Sequence, residues 1–77
     1  MKEAILHDKF GNELFFGDWI KLTDPTRIFV GQIASKSVHD FYAEDTELKT
    51  QFFFYDADIS RITKMSDAEL LIHRLET

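Results

Sequence analysis

Between His39 and Asp58 the chain sets six carboxylates, Asp40, Glu44, Asp45, Glu47, Asp56 and Asp58, against one lysine, Lys49. The same span carries the aromatic pair Phe41-Tyr42 and the run Phe52-Phe53-Phe54-Tyr55. Acidic and basic residues balance on either side of it, so it holds the whole net charge of −5. Three chemistries could use such a cluster. In an extended segment Asp56 and Asp58 would share a face about 6.5–7 Å apart, a separation open to acid–base work on a glycosidic bond. Two aspartates directly after an aromatic strand are more simply a turn. Calcium binding would need the spaced D-x-D-x-D-G loop and its central glycine, and residues 40–47 have neither. The third use is docking: aromatic anchors within an acidic rim have the composition of a protein interface. The set expected to touch a partner is Asp40, Phe41, Tyr42, Glu44, Asp45, Glu47, Asp56 and Asp58, joined by Trp19.

Other sources of reactivity are missing. His7, His39 and His73 form no pair at metal-ligand spacing. There is no G-x-S-x-G elbow, and Gly11, Gly17 and Gly31 are too dispersed for a phosphate-binding loop. The expectation is a protein that is not an enzyme and holds no metal or cofactor. An acidic field repels phosphate backbones and attracts basic surfaces, so the expected partner is a basic protein surface, with no direct nucleic-acid binding. Two other readings share these residues. The carboxylates could mimic nucleic acid and inhibit a DNA- or RNA-binding protein, or the phenylalanine-rich strand could serve as an edge for self-assembly.

The elements that must position these residues are short. Seventy-seven residues make one small domain over 1–77, and eight Phe, one Trp and two Tyr supply bulk to a core with no cysteine to staple it. Residues 2–7 read as a first strand with Ile5 inward, and residues 8–12 as a turn. Glu13 to Phe16 reads as a second strand, broken at Gly17-Asp18 by a bulge or corner. Trp19 to Thr23 alternates, which sends Ile20 and Leu22 to the core and Trp19 to the outer face or under a loop. Thr23-Asp24-Pro25-Thr26 reads as a β-turn built on its proline. Arg27 to Val38 is a long strand bent at Gly31. Residues 39–49 show no clean period and read as a loop or irregular hairpin arm. Thr50 to Tyr55 is a strand apolar on both faces, Asp56-Ala57-Asp58 a turn, and residues 59–63 a short strand or 3₁₀ turn. Trp19, Phe41 and Tyr42 fall outside the inward period, so they either cover an open end of the fold or anchor a partner.

The clearest local signal is Ser66-Asp67-Ala68-Glu69, a capping box that starts a helix over about residues 66–76. Met65 and Leu70 suit a hydrophobic staple. Ala68, Leu71 and Leu75 form an apolar stripe expected to cover the open end of a barrel. The fold expected is mainly β: a small SH3-like antiparallel barrel of about five strands with one C-terminal α-helix.

Residues 8–22 resemble the segment D-x-x-G-x-x-(I/L)-(Y/F)-x-G-D-h-h of YopX-like phage proteins and related small phage β-barrels. Asp8, Gly11, Leu14, Phe15, Gly17, Asp18, Trp19 and Ile20 carry the match. The resemblance implies a phage or mobile-element origin and an SH3-like barrel, and it brings no catalytic residues. No apolar run reaches the ~20 residues of a membrane span, and the N-terminus lacks a signal peptide. These features predict a soluble, cytoplasmic protein with no membrane contact.

Overall fold

A period of two in side-chain burial builds the sheet. The computed structural model describes residues 3–76, and the Asp56 side chain lies outside that description, as does Lys2 of the predicted first strand. Strand β3 (Trp19–Thr23) buries Ile20 and Leu22, as its alternation predicts. It pairs antiparallel with β4 (Ile28–Lys36), Ile20 opposite Gly31 and Thr23 opposite Ile28. The link between them is closed by backbone hydrogen bonds in both directions between Asp24 and Arg27, which puts Pro25 second in the turn. The turn therefore sits one residue later than Thr23–Thr26.

On the far side of β4 lie β5 (Asp40–Asp45) and then β6 (Thr50–Tyr55). The region read as a loop is thus a regular strand for six residues. Phe41, Ala43 and Asp45 point inward and alternate with half-buried Asp40, Tyr42 and Glu44. A carboxylate at the third inward position hides this period from a hydrophobicity pattern. In β6 the aromatic run also splits by parity: Phe52 and Phe54 are buried, whereas Phe53 and Tyr55 are 57% and 54% exposed. Among the described residues nothing covers the outer face of this strand, so it is apolar on both faces but buried on one.

A 3₁₀ helix over Asp56–Arg61 returns the chain to β7 (Ile62–Lys64), which pairs with the free side of β3. The strand order is β6-β5-β4-β3-β7. The architecture is mainly β and antiparallel with one C-terminal helix, as expected, but the five-stranded sheet is open rather than closed into a barrel. A two-stranded ribbon, β1 (Leu6–His7) with β2 (Glu13–Leu14), packs Leu6 and Leu14 into the same core as Ile20, Ile33, Phe41, Phe52, Phe54 and Ile62. Leu6, rather than Ile5, is the buried residue of the first strand; Ile5 packs half-buried against the core. The second strand stops at Leu14 instead of Phe16.

Gly31 serves close approach rather than a bend. A Cβ there would lie 2.9 Å from Phe52 Cε1 and 3.1 Å from the Glu44 amide nitrogen. The irregularity in β4 falls further along, as a register shift between Ile33 and Ser35. Gly17, at φ +95°, is a true corner in the left-handed region that glycine tolerates.

Helix α1 (Asp67–Leu75) starts at the predicted capping box: the Glu69 amide donates to Ser66 Oγ at 3.1 Å, and the Ser66 amide to Glu69 Oε1 at 3.3 Å. Its orientation differs from the expectation. Leu71, Ile72 and Leu75 are 62%, 55% and 77% exposed, and no helical residue is buried. The phase is set where the chain leaves β7. The Met65 amide is bonded to the Trp19 carbonyl at 2.9 Å, Met65 is buried, and the cap follows at once. That phase leaves Leu70, His73 and Arg74 half-buried and turns the apolar stripe outward. Arg74 ties the helix down: its guanidinium lies 5.0 Å from the Trp19 ring, 2.8 Å from Glu47 Oε2 and 3.4 Å from Asp45 Oδ1. Among the described residues, no helix is long and apolar enough to cross a membrane.

Candidate interaction face

The residues able to meet a partner lie on the outer face of β5 and β6. Antiparallel register sets Asp40 opposite Tyr55, Tyr42 opposite Phe53 and Glu44 opposite Gln51. Side chains directly opposite on one face of a sheet are neighbours, and here they form a continuous patch. The Tyr42 and Phe53 rings are tilted with centroids 5.1 Å apart. The Tyr42 hydroxyl sits 2.6 Å from Gln51 Oε1 and 3.0 Å from Glu44 Oε2. Partial desolvation, then the Glu44 hydrogen bond and its negative charge, raise the Tyr42 pKa above the ordinary tyrosine value. The phenol stays protonated and donates into this network.

The remaining members of the expected set have other duties. Phe41 is a core residue, stacked on Phe54 with ring centroids 4.9 Å apart, and is withdrawn from the surface. Asp45 is 1% exposed; its Oδ1 accepts from the Glu47 and Leu48 amides at 3.1 and 3.2 Å and shapes the turn between β5 and β6. Its Oδ2 has no hydrogen-bond partner among the described residues. Glu47 is exposed but engaged by Arg74. Asp58 accepts from the Tyr55 amide at 2.9 Å and so caps the end of β6, and it also lies 3.9 Å from Arg61. Trp19 is half-buried beneath Arg74. The side chain of Asp56 lies outside the described residues. Phe53 and Tyr55, absent from the expected set, are the most exposed aromatics of the patch. Their signal was available as alternate positions within the run Phe52–Tyr55, once one face is taken to be uncovered.

The residues that carry the phage resemblance act as scaffold. Asp8 is buried and accepts from the Phe10 and Asn12 amides at 2.9 and 2.8 Å, from Asn12 Nδ2 at 3.0 Å and from the Lys64 amide at 2.8 Å. Burial opposes ionisation of this carboxyl, but the bonds from Lys64, Asn12 and Phe10 outweigh it and hold its pKa below the ordinary aspartate value. Asp18 accepts from the Phe15 amide at 2.9 Å and steadies the Gly17 corner. No protein-family model matches the chain, and neither the curated proteins nor the solved structures provide a significant match.

Proposed function

We propose that the chain is a non-enzymatic, cytoplasmic protein-binding module whose β5–β6 outer face docks on a basic protein surface. The observation that carries this reading is the juxtaposition of exposed Phe53 and Tyr55 with Tyr42, flanked by Asp40 and Glu44. Aromatic side chains supply apolar contact area at low entropic cost, and the flanking carboxylates steer a basic partner and fix its register. Docking is favoured over nucleic-acid mimicry. A mimic needs an unbroken outward row of carboxylates, yet Asp45 faces the interior and Asp58 caps a strand end.

Affinity capture from a host lysate tests the reading, using the wild-type chain and the Asp40→Lys/Glu44→Lys variant at low and high salt. Capture of basic proteins that weakens in the variant, and weakens with salt for the wild type, supports it. Equal capture by both proteins with one salt dependence overturns it.

A further inference from the structure

Strand parity fixes where the polar backbone groups of the outermost strand point. The Ile33 amide donates to the Asp18 carbonyl and the Ile33 carbonyl accepts from the Gly17 amide, both at 2.9 Å. Ile33 therefore directs its groups to the β3 side of β4, and its neighbour Gln32 directs its own toward Glu44 of β5. Carried across β5, the alternation turns the groups of Phe52 and Phe54 toward β5 and those of Gln51, Phe53 and Tyr55 outward. Asp58 occupies the Tyr55 amide. Among the described residues, nothing pairs with the outward N–H and C=O of Gln51 and Phe53. The strand Thr50–Tyr55 contains no charged residue and no proline, the devices that ordinarily keep an edge from pairing.

We propose that β6 pairs antiparallel with β6 of a second copy of this chain, about a two-fold axis at Phe52, with Gln51 of each copy opposite Phe53 of the other. In this register Gln51 and Phe53 exchange N–H···O=C bonds in both directions, so every outward group of the two residues is used. An axis at Phe53 would set Tyr55 opposite Gln51 and require the Tyr55 amide that Asp58 holds. The facing residues are uncharged, so chains of net charge −5 meet with no like charges directly opposite. The pairing is isologous and consumes the edge. The other edge, β7, is closed: the Lys64 amide donates to Asp8, and the Ile62 carbonyl accepts from the Lys9 amide at 3.1 Å. Assembly therefore stops at a dimer. The inference is independent of the docking reading, because it uses backbone groups at the strand edge and leaves the carboxylates of β5 free.

Sedimentation velocity over micromolar to millimolar concentrations tests it. The wild-type chain should approach twice the 9.0 kDa of one chain. Phe53→Lys, which adds an edge charge, should sediment as a monomer throughout. So should Gln51→Pro, which removes an outward donor without touching the ladder to β5, and circular dichroism identifies which of the two keeps its fold. Leu71→Glu, on the exposed helix stripe, should leave the dimer intact. A wild-type monomer at every concentration, species larger than a dimer, a folded Phe53→Lys or Gln51→Pro chain that still dimerises, or a dimer lost in Leu71→Glu would each overturn the proposal.

Discussion

The two edges of this sheet meet opposite fates. At β7, the hairpin that opens the chain folds back, and Asp8 and Lys9 take the outward Lys64 amide and Ile62 carbonyl. At β6, Asp58 takes the outermost amide, and among the described residues the rest of the outward ladder stays open. The closed edge is the short strand of three residues, and the open one is a full strand of six. Sheet edges invite association. Closing one with a buried carboxylate while leaving the other uncharged confines that invitation to a single surface, next to the exposed aromatics. Both edge strands bury apolar side chains, Ile62 in β7 and Phe52 and Phe54 in β6; β7 adds polar satisfaction of its outward groups.

The sharpest way to break that contrast is to remove an anchor. Phe54 is fully buried, and Phe54→Ala should cost about 3–5 kcal/mol, read from chemical denaturation. Its outward neighbour Phe53, replaced by Ala, gives up the ring contact with Tyr42 and should cost about 1 kcal/mol at most. Equal losses would mean that β6 is not held by one face.

Asp8→Ala tests the closed edge. It strands the Phe10, Asn12 and Lys64 amides, and at about 1–3 kcal/mol for each buried unsatisfied donor with partial relaxation the loss should be roughly 2–4 kcal/mol. The same carboxylate predicts a pH dependence. Its folded pKa is lowered, so the stability it supplies is fully present above the unfolded value of about 3.9 and is lost as pH falls through the lowered folded value. Asp8→Asn should flatten this part of an acid denaturation profile, and an unchanged slope would remove Asp8 from the account.

Gly17→Val addresses the corner that leads the chain from the ribbon into β3. Among the described residues a Cβ there meets only Gln32 Nε2, at 3.9 Å, so the cost is conformational and should be about 1–2 kcal/mol for an L-residue held in the left-handed region. A thermal melt indistinguishable from wild type would show that the corner relaxes freely. The smallest effect belongs to the helix: Leu71→Ala should stay within about 0.5 kcal/mol, because Leu71 is exposed.

Elements that rest on local rules were legible in the sequence. The span and facing of β3, the bounds of β6, the glycine corner and the Ser66 cap follow from alternation, turn chemistry and capping alone. β5 was not legible, because inward-facing Asp45 breaks the apolar period and its justification, the turn amides and Arg74, lies outside the strand. The helix was legible in extent but not in orientation, since its phase depends on how β7 delivers Met65 to the sheet. Asp8 reads as a turn residue, and only the fold brings it to Lys64, far along the chain. Within the candidate face, Asp40, Tyr42 and Glu44 were identified from composition. Phe53 and Tyr55 required knowledge that the outer face of β6 is uncovered.

The attachment of the helix sets how the molecule breathes. A nine-residue helix with no buried side chain, held to the sheet through Arg74 and the half-buried Leu70 and His73, can detach while the apolar core stays packed, at the cost of parting Asp45 from Arg74. Its opening is then a local event, with a free energy well below that of global unfolding. The backbone amides from Leu70 to Glu76 should exchange with solvent deuterium long before those of β3 and β4. A protease that cleaves in this segment would leave the sheet folded.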